Sequence, residues 1–285
     1  MNNLITRTIS GIVFLAILIS GIIFHPFGFG ALFLFIIIVG LHEFYGMLLP
    51  KTFCIRKVLG YITAISTFSV FYAKNLGVIG SGYFWFLIIP VAALFIAELY
   101  SKSEKPFENI AYTLLGVIYI ALPFSLVTEL TFTEGNYDYR ILLSFFIILW
   151  CNDVGAYCFG MLFGRSGKHK LFERISPKKS WEGFWGGVIV ALAAGYILYT
   201  IWGEKYEIMS RFNFLQHMGH WIVMAAIVSI FGTFGDLTES MLKRSVGVKD
   251  SGKIMPGHGG ILDRFDGALI AFPCAIAYLH IISIL

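Results

Sequence analysis

GDLTESMLKRSVGVKDSGKIMPGHGGILDRFD, residues 235–266, is the densest polar stretch of the chain. It holds five carboxylates (Asp236, Glu239, Asp250, Asp263, Asp266), five cations (Lys243, Arg244, Lys249, Lys253, Arg264), His258 and six glycines. The sequence around it is 58% hydrophobic and 13% charged, with a mean hydropathy of +0.79. Soluble domains carry about 25% charged residues, so the chain reads as an integral membrane protein. Its apolar segments are long and continuous, which selects helices over the alternating strands of a barrel. The expected fold is therefore all-α and polytopic. Charges gathered into one stretch of such a chain mark a metal- and phosphate-handling site at a membrane surface.

A span needs about 20 mostly apolar residues. Nine segments qualify, at roughly 6–24, 29–48, 57–73, 82–99, 109–127, 141–162, 183–202, 218–235 and 265–284. The first has no small-residue cleavage site and more spans follow it, so it is a retained helix rather than a signal peptide. With the N-terminus inside, only Lys74, Arg140, Lys205 and Arg211 fall outside, which leaves 17 of the 21 Lys and Arg on the cytoplasmic face. The inside loops near 163–182 and 236–264 are the most basic. Residues 1–135 read as N-terminal transmembrane helices and 136–285 as the catalytic region, within one membrane domain. Cys54, Cys151, Cys158 and Cys274 form no CxxC pair and read as apolar packing.

Four places can carry chemistry. Asp236 and Glu239 stand at i, i+3 on one helix face, followed by Lys243 and Arg244. Either they form a solvated helix end with a Glu–Lys pair, or a helix extension offers carboxylates to a cation and amines to phosphate. In the PGHGG run (residues 256–260), glycines let backbone N–H groups approach an anion; a tight turn is the alternative. Asp263 and Asp266 follow at the mouth of a span. Two carboxylates there repel each other and lose solvent, and a hard divalent ion such as Mg²⁺ relieves both costs. Neutralisation by Arg264 in a structural ion network is the alternative. Asp153, with Asn152 and Tyr157, lies inside the sixth span, where a charge costs roughly 2.5–3.5 kcal/mol and so points to a cavity; a helix end nearer the cytoplasm is the alternative.

The fourth place is ISPKKSWEGFWGG, residues 175–187, where Lys178 and Lys179 precede a helix start that Ser180 can cap, which suits an anion; lysines needed there for topology alone are the alternative. His42 and Glu43 read as the inner end of the second helix.

Residues 240–266, together with Asp153-x-x-Ala156-Tyr157 and Ile175-Ser-Pro-Lys178-Lys179-Ser-Trp-Glu182-Gly183, resemble the signature motifs of the phosphatidate cytidylyltransferase (CDP-diacylglycerol synthase) family. These motifs cover about the second half of the chain. Met255 is the one departure, where the family more often has Leu, Ile or Phe. The resemblance implies transfer of a cytidylyl group from CTP to phosphatidic acid at the inner membrane, with Mg²⁺. It implies a polar cavity open to the cytoplasm and laterally to lipid, and a homodimer. It also associates the positions of Asp236 and Asp263 with a paired centre of Mg²⁺ and a monovalent cation such as K⁺, and it matches Asp266 and Asp250 to further acidic positions.

The roles expected are then as follows. Asp236, Asp263 and Asp266 hold metal. Lys178, Lys179, Lys243, Arg244, Lys249, Arg264 and the His258 loop with Gly259 and Gly260 meet phosphates, and Asp153, Glu239 and Asp250 support the cavity. The partners are CTP, phosphatidic acid and membrane lipid, with no nucleic acid.

Two other classes fit less well. Asp263 to Gly267 matches the Asp-x-x-Asp-Gly of CDP-alcohol phosphotransferases. The sequel ALIAFPCAIAYLH, however, lacks the Arg and the later aspartates that motif requires. A transporter disperses its polar residues across spans at mid-membrane depth, whereas here they cluster at one face.

Overall fold

The computed structural model describes residues 3–49, 55–133, 135–164, 169–203 and 210–284. Lys51, Cys54, Arg165, Lys168 and Lys205, used in the sequence reading, lie outside the described residues, as does the side chain of Arg211. Helices dominate. Among the described residues, eight helical runs are long and apolar enough to cross a membrane. The third expected span, 57–73, is a 21-residue helix, α3 (Ile55–Asn75), but is not among the eight. It carries Arg56, Lys57 and Lys74 and a row of Ser, Thr and Tyr hydroxyls, which lowers its apolarity.

The chain divides into two compact units, residues 1–137 with 250–265, and residues 138–249 with 266–285. The signature stretch is thereby split, with residues 250–265 belonging to the first unit.

In the first unit, α1 (Asn3–Ile23) and α2 (Pro26–Leu48) are joined at His25, whose Nδ1 accepts the N–H of Phe27 at 3.2 Å. Pro26 takes the first helical position, where its missing N–H costs nothing. After α3 come a 3₁₀ turn, α4 (Ile88–Leu99) and α5 (Pro106–Gly116). A π turn at Val117–Ala121 then leads into α6 (Leu122–Leu126). The cause of the π turn is Pro123, which cannot donate to the carbonyl one turn back. Helix α7 (Thr128–Thr131) and a hairpin of β1 (Phe132–Thr133) and β2 (Asn136–Tyr137) close the unit.

The core of this unit is aromatic. Phe265, 1% exposed, packs edge-on against Phe124 at 5.3 Å and Phe14 at 5.7 Å. That packing fixes the end of the signature stretch to α1 and α6.

The second unit holds α8 (Arg140–Phe163), a hairpin of β3 (Lys170–Phe172) and β4 (Ser176–Ser180), α9 (Trp181–Trp202), α10 (Met218–Ser245) and α12 (Ala268–Ile284). The four-residue α11 (Leu262–Phe265) belongs to the first unit. Helices α8 and α9 approach closely because small residues line their seam. A Cβ on Gly186 would lie 2.2 Å from that of Phe159, and one on Gly155 2.8 Å from that of Val190. Ser180 caps α9, as expected, by accepting the N–H of Gly183 at 3.2 Å. With 28 residues, α10 runs about 42 Å, beyond a hydrocarbon layer of about 30 Å. Its last turns, which carry Asp236, Glu239, Lys243 and Arg244, are the polar extension the sequence called for.

Candidate active site

In the second unit a cavity of about 300 Å³ opens between α8, the β3–β4 hairpin, α9 and α10. Helix α8 contributes Asp153 and Tyr157, one turn apart. Strand β4 contributes Lys178 and Lys179, and α10 contributes Thr233 and Asp236. The hairpin is what brings the two lysines over the cavity. Lys179 Nζ lies 2.6 Å from Asp236 Oδ2 and 3.5 Å from the carbonyl of Thr233. Ser240 Oγ donates to Asp236 Oδ1 at 3.3 Å. Behind them, Asn152 Oδ1 accepts Ser229 Oγ at 2.5 Å, a buried tie between α8 and α10.

Asp266 sits in the turn after α11, where its Oδ1 accepts the N–H of Gly267 at 2.7 Å. Gly235 lets that turn approach α10, since a Cβ there would meet the carbonyl oxygens of Asp266 and Gly267 at 2.7 and 2.8 Å. The carboxylates of Asp236, Glu239 and Asp153 all repel that of Asp266. Acidic and basic groups thus share one small volume.

Glu239 and Lys243 form an ion pair at 3.1 Å, with Glu239 at 0% exposure. Of the two readings of this helix end, the solvated one is set aside: a Glu–Lys pair exists, but it is buried. Lys243, expected at phosphates, is held on Glu239. Arg244 Nη1 donates to the carbonyl of Val248 at 3.1 Å and closes the end of α10. Lys249 is exposed.

In the first unit, residues 250–265 form a tight loop around two carboxylates. Met255 and Gly259 are bridged at 3.0 Å, and Gly257 and Gly259 take φ of +76° and +85°, a region that favours glycine. Asp263 Oδ2 accepts from Ser251 N at 2.9 Å and Gly260 N at 2.7 Å, and Ser251 Oγ lies 3.0 Å from it, with a single proton to divide between Asp263 and Glu43. Glu43, buried near the end of α2, accepts Ile261 N at 2.9 Å, Leu262 N at 3.0 Å and Ser251 Oγ at 2.9 Å. Gly260 was expected to offer its N–H to a phosphate. That N–H donates to Asp263 instead, and the next two N–H groups go to Glu43. Gly260 is required for closeness, because a Cβ would fall 2.2 Å from Ser251 Oγ and 2.3 Å from Glu43 Oε2. Asp250 is exposed, with its Cβ 3.5 Å from where one on Gly259 would lie.

Glu43 therefore does more than mark a helix end. It anchors the loop, and the only signal for it in the sequence was a lone carboxylate inside an apolar helix.

His258 lies between α1 and Arg264. Its Nδ1 is 2.8 Å from Ser10 Oγ, and Arg264 Nη2 donates to its carbonyl at 3.0 Å. Partial burial, then the cations Arg264 and Arg7, hold its imidazole below the ordinary value of 6.5.

Among the described residues no group of three or more His, Cys, Asp or Glu is closed enough to hold a metal alone. Mg²⁺ asks for less, since one or two carboxylates suffice when substrate phosphates and water complete its shell. Asp236 and Asp266, which repel each other within the second unit, match that donor set. Asp263, in the first unit, carries the hydrogen-bonded support typical of ligating carboxylates.

A model of the Cytidylyltransferase family matches residues 5–282. The chain belongs to this family. It is 35% identical over 279 residues to a phosphatidate cytidylyltransferase of Staphylococcus epidermidis, covering 94% of this chain and 95% of the relative. A Staphylococcus aureus phosphatidate cytidylyltransferase is 36% identical with the same coverage. One from Staphylococcus saprophyticus is 40% identical over 173 residues, 61% of this chain and 60% of that protein. The family match spans both units, so it includes the N-terminal helices that the motifs alone did not reach.

Proposed function

We propose that the protein transfers the cytidylyl group of CTP to phosphatidic acid, giving CDP-diacylglycerol and pyrophosphate. The observation that carries this is the second unit's cavity, where Lys178, Lys179, Asp153 and Asp236 converge beside Asp266. Such a set suits a polyphosphate and a divalent cation together. The lipid phosphate oxygen attacks the α-phosphorus of CTP. A new P–O bond forms, the bond to the β-phosphate oxygen breaks, and pyrophosphate leaves with the electron pair. The attacking oxygen is already ionised, so no strong general base is needed. The obstacle is the meeting of two anions, and positioning and electrostatic stabilisation dominate.

Lys178 and Lys179 meet the phosphates of CTP. Asp236 holds Lys179 in place until substrate arrives, and Arg244 and Lys249 extend the positive field. Mg²⁺, when bound, offsets the charge of the phosphates and the leaving group. Asp236 and Asp266 of the second unit would hold it; the resemblance associates the positions of Asp236 and Asp263 with metal and names K⁺ as the second cation. Charge counting with α3 as a ninth span supports a site on the cytoplasmic face of the cell membrane, and a homodimer is the expected assembly.

The test is release of pyrophosphate by the detergent-purified protein given CTP, phosphatidic acid and Mg²⁺. Turnover should require all three, and Asp236→Asn should lower it by about 100-fold or more, the scale of removing one electrostatic partner of the reaction. Pyrophosphate release without lipid, or an Asp236→Asn variant of near-normal rate, refutes the assignment.

A further inference from the structure

A groove of about 270 Å³ runs between α1, α2 and residues 254–261 of the first unit. Val13, Phe14, Ile17, Leu32, Phe35 and Ile254 line it, and Ser10 is the one polar side chain among its described lining residues. A nucleotide finds no partners in such walls. Val13, Ile17, Phe35 and Ile254 remain 49–54% exposed, so the groove is open along one side to whatever surrounds the helices. In a membrane-spanning chain that surrounding is lipid.

One end of the groove is polar. Ser10 Oγ lies 3.0 Å from the carbonyl of Pro256 and 2.8 Å from His258 Nδ1. The stem of Arg7 lies against Gly257, where a Cβ would come within 2.6 Å of its Cγ. Arg264 binds the carbonyl of His258 from the other side. Two solvent-exposed arginines thus lie close to His258, whose ring bonds Ser10 at the polar end of the apolar slot. A dianionic phosphate head with a hydrocarbon tail is the ligand that needs both halves. Guanidinium forks match phosphate oxygens, and apolar walls favour methylenes over water.

We infer that this groove seats an acyl chain of the phosphatidic acid substrate, with the lipid phosphate at Arg7, His258 and Arg264. This rests on the proposed function for the identity of the lipid. The slot fixes the lipid at its tail as well as its head, and so selects a phosphomonoester lipid over a free phosphate.

The full chain in phosphatidylcholine nanodiscs, irradiated with phosphatidic acid bearing a diazirine-tipped acyl chain, tests it. Label is expected within residues 13–36 and 254–261, and excess phosphatidic acid should remove it while added phosphatidylcholine does not. Label confined to other segments, or removed equally by both lipids, overturns the inference. Ile17→Trp, which fills the slot, should raise KM for long-chain phosphatidic acid about 10-fold, with KM for CTP unchanged and a dihexanoyl substrate affected less. Equal effects on both lipids, or none, also overturn it. Labelling needs no turnover. A wild-type protein that labels as expected but makes no CDP-diacylglycerol would refute the function while leaving the groove intact.

Discussion

Replacing Glu43 by Gln tests the claim that one carboxylate in an apolar helix holds the signature loop. Both oxygens of Glu43 accept hydrogen bonds, Oε1 from Ile261 N and Oε2 from Leu262 N and Ser251 Oγ. The carboxamide has the same shape but only one acceptor. With its oxygen toward Leu262 and Ser251, its NH₂ faces the N–H of Ile261, so a charge-assisted bond is lost and a buried donor is orphaned. Together these cost about 2–4 kcal/mol. The walls give no room to relax, because Gly252 and Gly260 already bring backbone against the carboxylate, with virtual Cβ atoms 2.3 Å from its oxygens.

If the loop must hold its shape in the transition state, kcat/KM for cytidylyl transfer falls roughly 30- to 900-fold. Steady-state assays with CTP and lipid varied in turn, alongside thermal inactivation in detergent, measure both halves. A Glu43→Gln protein with turnover within threefold of wild type and an unchanged inactivation rate would show that the loop does not depend on this anchor.

Two further outcomes follow from the geometry. Lys179→Met removes a partly exposed ion pair with Asp236, so stability should change by no more than about 1 kcal/mol, while KM for CTP rises at least about 10-fold; equal losses of stability and activity would point to a purely structural lysine. His258 should titrate below 6.5 in the lipid-free protein by NMR and move upward when phosphatidic acid brings its negative charge. Because the folded state resists the proton, this residue's contribution to stability is intact above about pH 6.5 and declines as the pH falls through that value; an ordinary midpoint unmoved by lipid contradicts the placement of the headgroup.

Much of this was legible because the bilayer simplifies the alphabet. Lengths of apolar run gave the helices, and α3 is the exception because its hydroxyls and three cations blur its outline. Ser180 as a cap, Lys178 and Lys179 beside α9, and Asp236 on a polar helix extension could all be read from local spacing. What stayed hidden was long-range. Nothing near Gly260 says that its N–H turns inward to Asp263, and nothing near Glu43 says which donors it meets, since they lie 218 and 219 residues away. The Glu239–Lys243 pair was readable from its i, i+4 spacing, but the complete burial of Glu239 was not, because the packing that covers it comes from other elements.

The separation between Glu43 and its donors has a consequence for biogenesis. At about 5–20 residues per second, a ribosome needs on the order of 10–40 s to deliver Ile261 after Glu43 has been made. Through that interval the second helix must wait in the translocon or bilayer with an acid whose eventual partners have not been synthesised. A chain stalled before residue 250 leaves that acid without the Ser251, Ile261 and Leu262 donors that hold it in the folded protein, and so with the full cost of a carboxylate kept from water.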